Sequence, residues 1–192
     1  MDLVLVDDHP AVRAGLRGLL EDDDRLHVTA TAATAREGFD AIADLRPALV
    51  VADLHLPDDD GLSLCLRTRT LPQAPEVVVY TAFPDPGLAV RAVIAGAAAV
   101  VAKSTSPRRL LAVLRAAGAG HVRPTLDPGA LRAAGERLDP EDLPILGMLA
   151  HGVPAGEIAG TLGVEPDWLV ARRWAMLACL ASNARRRAPA AA

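Results

Sequence analysis

Four short apolar runs in this sequence each end in side chains able to do chemistry. "LVLV" runs into Asp7 and Asp8, "ALVVA" into Asp53, "EVVVY" into Thr81 and "AVVA" into Lys103. Three carboxylates in one crevice repel; at ~5 Å and an effective dielectric near 20, each pair costs about 3 kcal/mol. A hard divalent cation relieves that repulsion, and carboxylates with the remaining positions filled by water suit Mg²⁺. A cation bound there leaves room for a phosphoryl oxygen. Thr81 can donate a hydroxyl hydrogen bond to a second oxygen. Lys103 can meet a third as a compact point charge, which an arginine fork could not reproduce. Asp53 is then the natural nucleophile, and its product is an acyl phosphate.

Lys103 is conspicuous on its own account. The chain holds 20 lysines and arginines together, and Lys103 is the single lysine.

The elements that must position these residues follow from patterning. Five β-branched or aliphatic runs, at 3–6, 26–32, 48–52, 76–80 and 99–102, alternate with stretches of helical spacing. Pro10 and Pro107 suit helix first turns, and Gly96 and Gly118 suit helix ends. Five such units predict a flavodoxin-like α/β fold, a doubly wound five-stranded parallel sheet with helices on both faces. Four runs lack alternation, as expected of strands buried on both sides, whereas "LHVTATA" alternates and is placed at an edge. Strand order 2-1-3-4-5 would set strands 1, 3, 4 and 5 in series and gather their C-terminal endings, where open parallel sheets bind ligands.

From Leu138 onward strand-like runs are absent, and "LPILGMLAHG", "AGEIAGTLG" and "DWLVARRWAMLACL" read as three short helices. Residues 120–137 read as a linker with a helical turn or two, and 184–192 as a disordered tail.

Bulk composition narrows the function classes. Hydrophobic residues make up 51% and aromatics 3%, so the core is built from Ala, Val, Leu and Ile. Cys65 and Cys179 are far apart, match no metal or redox spacing, and read as small buried hydrophobes in a reducing cytosol. The first residues carry acids, unlike a signal peptide, and no apolar run reaches the roughly 18 residues of a membrane span. The net charge of −4 gives no global signal for nucleic acid, so DNA binding would need a local basic patch.

The segments "LVLVDDHPAVRAGLRGLL", "ALVVADLHLPDDDGLSL", "VVVYTAF" and "AGAAAVVAKSTSPRRLLAVLRA" together resemble the receiver (CheY-like) domains of bacterial two-component response regulators. They cover nearly all of 1–119, taken as the receiver domain. The resemblance implies phosphorylation of Asp53 by a sensor histidine kinase, in a cytoplasmic protein without a membrane anchor. It implies Mg²⁺ held by Asp8 and Asp53, with Asp7 acting largely through water and His55 through its backbone carbonyl. Thr81 and Lys103 would bind the phosphoryl group. Asp58, Asp59 and Asp60 read as a solvated turn and helix start. One departure stands out: Val100 occupies a position, three before the lysine, where the family usually has an aromatic switch residue. Transmission is therefore expected to be weakened, or to use Thr81 and backbone shifts alone.

Residues 138–183 resemble the LuxR-type helix-turn-helix of the NarL/FixJ regulators, through apolar positions such as Ile145, Leu149, Ile158, Leu162, Leu169 and Met176 and turn glycines Gly152 and Gly163. The resemblance implies promoter DNA as a partner and a homodimer. The DNA-facing positions would be Trp168, Val170, Ala171, Arg172, Arg173 and Trp174. That surface is unusual, because Val170, Ala171 and Trp174 stand where relatives place lysine or polar groups. Five arginines face six acids over 138–192, a poor electrostatic footprint for DNA. Pro144 interrupts the first helix or begins it, and Pro189 shortens or removes the fourth. Two readings stay open for this unit: a DNA reader, or a divergent helix-turn-helix that contacts a protein partner. The two tryptophans are either partner anchors or core residues. An aspartate-nucleophile phosphatase, and enzyme function generally, is disfavoured: no acid follows Asp53 by two residues to serve as general acid.

Overall fold

Each apolar run becomes a strand. The computed structural model describes residues 1–181. Its strands are β1 (Asp2–Val6), β2 (His27–Ala32), β3 (Leu49–Asp53), β4 (Glu76–Thr81) and β5 (Ala99–Ala102). They form one parallel sheet in the order β2-β1-β3-β4-β5. β3 is buried along its whole length, while β2 alternates exposed with partly buried positions at the edge.

Between the strands run α1 (Pro10–Glu21), α2 (Ala35–Leu45), α3 (Gly61–Thr68), α4 (Pro86–Ala95) and, after β5, α5 (Pro107–Gly118). Local chemistry fixes their ends. Prolines occupy the first turns of α1, α4 and α5, where a missing N–H costs nothing. Thr34, Asp60 and Asp85 cap α2, α3 and α4 by accepting backbone N–H bonds. Gly96 closes α4 at φ +81, a left-handed conformation that glycine adopts without a Cβ clash.

Leu3, Leu5, Leu49, Val51, Val78 and Tyr80 lie on one face of the sheet, in a core with residues of α1 and α5. Val4, Val6, Val50, Ala52, Val77 and Val79 lie on the other, with α2, α3 and α4. The second core does not stop at the receiver half. It continues through Ile145, Ile158, Leu169 and Met176.

Those residues belong to α7 (Leu143–Ala150), α8 (Ala155–Leu162) and α9 (Pro166–Ala181), the three helices expected for the C-terminal unit. Pro144 lies in the first turn of α7, after a 3₁₀ turn over Pro140–Asp142, so it starts the helix rather than breaking it. The segment expected as a linker holds α6 (Pro128–Gly135), capped by Asp127 and packed on α4. α4 also touches α7 and α9, and α9 reaches α3 as well. The two halves therefore pack together, with α4 as the shared wall. The tail and fourth helix considered above, including Arg185, Arg186, Arg187 and Pro189, lie outside the described residues.

Candidate functional site

Parallel pairing carries the four strand endings to one edge of the sheet. Asp53 stands beside Tyr80 in the ladder, and Thr81 beside Ala102. Lys103 follows β5 directly, and its N–H donates to the Thr81 carbonyl at 2.7 Å. The side chain turns back across the strand ends. Its Nζ donates to Asp7 Oδ2 at 2.7 Å and to Asp53 Oδ2 at 2.9 Å.

Asp7 and Asp53 are 2% and 5% exposed, so these charges meet in a shielded environment. Burial alone would lower the Lys103 pKa, but hydrogen bonds and attraction from Asp7 and Asp53 outweigh it and raise it above the ordinary amine value. Thr81 is fully buried, and its Oγ1 accepts from the Phe83 N–H at 3.3 Å.

The acidic group has a fourth member that sequence reasoning passed over. Oxygens of Asp7, Asp8 and Asp53 and a ring nitrogen of His9 all lie within 4.8 Å of one another. His9 N–H donates to Asp7 Oδ1 at 2.9 Å, and His9 Nδ1 lies 2.5 Å from Asp8 Oδ1. Apart from that close approach of His9 Nδ1, Asp8 Oδ1 is buried with no hydrogen-bond partner among the described residues. Such an atom fits a metal-bound carboxylate, and the oxygen-rich donor set fits a hard cation such as Mg²⁺. The signal for His9 was in the sequence, since it directly follows the acid pair.

Two other supports were not legible. Arg13 Nη1 donates to the Asp7 carbonyl at 2.5 Å, holding the end of β1. The Tyr80 hydroxyl donates to the Lys103 carbonyl at 3.3 Å, on the opposite face of the sheet from Val100. Neither partner is a side chain, so no residue pattern announces either bond. Val100 itself is partly buried against the core shared with the C-terminal half.

The loop after β3 is stiff. Gly61 N–H donates to the Leu54 carbonyl at 2.9 Å, and Leu56 N–H to the Asp59 carbonyl at 3.2 Å. His55 is bridged to Asp60 in this loop, and its imidazole is not part of the acidic cluster among the described residues. A side chain at position 61 would overlap the Asp53 carbonyl oxygen, so glycine is required there. The acids of the turn stay clear of the metal group but are not simply solvated. Asp58 accepts from Ala35 N–H at 2.8 Å and Arg36 N–H at 3.0 Å, tying the loop to the start of α2. Burial pushes the Asp58 carboxyl up, and these N–H bonds more than reverse it, leaving the pKa below its ordinary value.

The six positions expected to face DNA fall on α9 with different fates. Trp168 and Ala171 are exposed. Val170 and Trp174 are partly buried against the shared core. So one tryptophan is a surface residue and the other a packing residue. Arg172 pairs with Asp139 at 3.3 Å and also with Asp142. Arg173 is turned inward at 2% exposure, and its Nε donates to the Ile94 carbonyl at 2.6 Å. In this arrangement the guanidinium of Arg173 serves the contact between the halves, away from any outer surface of α9.

Comparisons with known proteins agree with this geometry. The response regulator receiver domain matches residues 3–115. Over 168 residues the chain is 32% identical to the DNA-binding transcriptional activator DevR/DosR of Mycobacterium tuberculosis, spanning 81% of this chain and 76% of that protein. Over 174 residues it is 29% identical to the nitrate/nitrite response regulator NarL of Escherichia coli, spanning 84% and 81%. A crystal structure of a LuxR-family two-component response regulator from Aurantimonas sp. matches with TM-score 0.60 at 34% identity, over 72% of this chain and 98% of that one. The RcsB response regulator of Salmonella typhimurium shares the fold over 94% of this chain and 90% of its own, with TM-score 0.59 at 23% identity. Receiver match, strand order and relatives along most of the chain agree: this protein belongs to the response regulator family, among the LuxR-family members of the NarL/FixJ type.

Proposed function

We propose that this protein is a transcription regulator controlled by phosphorylation of Asp53. The observation that carries the reading is the convergence of Asp53, the acid pair, buried Thr81 and the single lysine at one sheet edge, with Lys103 Nζ 2.9 Å from Asp53 Oδ2. A carboxylate oxygen of Asp53 attacks the phosphorus of a phosphohistidine on a sensor kinase. The new P–O bond forms as the P–N bond breaks, and the imidazole leaves with the electron pair. Asp8 and Asp53, with Asp7 through water and the His55 carbonyl, would hold Mg²⁺, which when bound offsets the charge gathering on the phosphoryl oxygens. Lys103 exchanges its bond to Asp53 for one to a phosphoryl oxygen, and the Thr81 hydroxyl donates to another.

The C-terminal unit reads promoter DNA in this account, as the printed name of DevR/DosR says of that relative. α9 lies against α3 and α4, so engagement of DNA requires the halves to part. The active species is a homodimer acting in the cytoplasm. No described helix is long and apolar enough to cross a membrane.

Two measurements test the reading. Asp53→Asn should abolish phosphoryl uptake labile to base and hydroxylamine, from a low-molecular-weight donor in Mg²⁺; uptake that persists would place the nucleophile elsewhere. Affinity of the phosphorylated protein for its own promoter should fall with salt, log K dropping by roughly 0.9 per phosphate contact. A flat salt response at background affinity would favour a protein-binding role for the C-terminal unit.

A further inference from the structure

A cavity of about 280 Å³ lies between the two halves, away from Asp53. The receiver half contributes Arg69, Glu76 and the Gly96 turn, the following segment contributes Arg123, and α9 contributes Arg173. Three guanidiniums thus face one carboxylate. None of the three arginines forms an ion pair among the described residues, whereas Arg172, Arg91 and Arg115 each do.

The hydrogen bonding is as incomplete as the charge pairing. Arg173 is almost wholly buried and spends Nε on the Ile94 carbonyl. Arg69 gives one terminal nitrogen to the Pro75 carbonyl, and its Nε is buried without a partner. A Cβ built on Gly96 would lie 2.7 Å from Arg173 Nη2 and 3.3 Å from Arg69 Cδ, so the two side chains converge over this turn. Arg123 lies against Gly152 and has no hydrogen bond among the described residues. Burial draws the Arg173 pKa down to about 10, with Cys65 opposing and Arg69 adding to the fall, as expected of a cation short of counter-charge. Pro154 and Ala155, the cap and first residue of α8, complete the wall, and no side chain caps that helix. Its positive end adds to the field, although exposed Glu157 in the first turn offsets part of it.

Guanidiniums that leave most of their donors unmatched are costly where burial shields them from water, and an oxyanion is the natural partner for several at once. We propose that this cavity is a binding site for a phosphate-class oxyanion, held by Arg69, Arg123 and Arg173 and bridging the two halves of the chain. Both free phosphate and the phosphate group of a small metabolite carry the required chemistry. An anion bound here ties α9 to the receiver half, because its ligands come from both.

The test uses full-length Asp53→Asn protein in EDTA, so that the acidic site is silent. Calorimetric titrations with inorganic phosphate and with glycerol phosphate are run at ionic strength matched with chloride. Saturable binding of either is expected, and preference between them identifies the source. Arg69→Met, on the receiver side, and Arg123→Met, an exposed position, should each weaken that binding at least tenfold while the circular dichroism spectrum stays unchanged. Absence of saturable binding by both anions would overturn the proposal. So would equal affinity in a folded Arg123→Met protein, whether or not Arg69→Met folds.

Discussion

At the scale of residues, Lys103 holds two carboxylates apart from their mutual repulsion by lying between them. Lys103→Met leaves Asp7 and Asp53 facing each other with no cation, a loss of about 1–3 kcal/mol, since the lysine is partly exposed. Urea unfolding in EDTA should show that loss, and Mg²⁺ should restore part of it. The pH dependence has a definite sign. The folded-state pKa of Lys103 is raised above 10.5, so its contribution is complete below pH 10.5 and fades as pH rises through the higher folded value. Arg173, whose pKa is lowered, acts in the opposite sense. The difference between wild type and Lys103→Met, followed from pH 8 to 11.5, isolates the lysine and should shrink at the alkaline end. The convergence of Asp7, Asp53, Thr81 and Lys103 was legible because each follows or ends an apolar run, and parallel strands bring such endings to one edge. Arg13 and Tyr80 were not, because they act on backbone carbonyls whose position only the fold determines.

At the scale of elements, the site depends on the loop between β3 and α3. Gly61 leaves the space that the Asp53 carbonyl occupies, and the cap Asp60 and tie Asp58 fix the loop on either side. Gly61→Ala must push the end of β3 aside. We expect it to destabilise the protein by about 1–3 kcal/mol, in the range of overpacking, and to reduce phosphoryl uptake at Asp53. A thermal melt together with a phosphorylation assay checks both; unchanged uptake would show that the loop tolerates the shift. Element order and type could be read from periodicity, including edge strand β2 and the three C-terminal helices. α6 was less visible, because "DPGALRAAG" carries a cap and a first-turn proline but few apolar residues to mark a buried face. Asp58 reads from sequence as a solvated turn residue, since nothing local shows that α2, more than twenty positions earlier, starts against it.

At the scale of the whole molecule, the core beneath α4 runs without interruption from the sheet to α9. The full chain should therefore unfold as one cooperative unit. Both tryptophans lie on α9, so their fluorescence reports the C-terminal half while far-ultraviolet circular dichroism reports all of it. Coincident urea transitions are expected, and Ile158→Ala should move both by about 2–5 kcal/mol. An earlier fluorescence transition would show that the halves unfold separately. This docking could not be read from the sequence. It depends on the shapes of two surfaces and on Arg173, which the resemblance counts among the DNA-facing residues but which the fold buries. The single lysine has one more consequence at this scale. Lys103 carries the only side-chain amine in the chain, and it is engaged with two carboxylates. Amine-directed acylating reagents thus have one side-chain target, whose reactivity depends on what occupies the site. If Asp53 is phosphorylated as proposed, acylation of Lys103 followed by mass spectrometry should report that state without any engineered label.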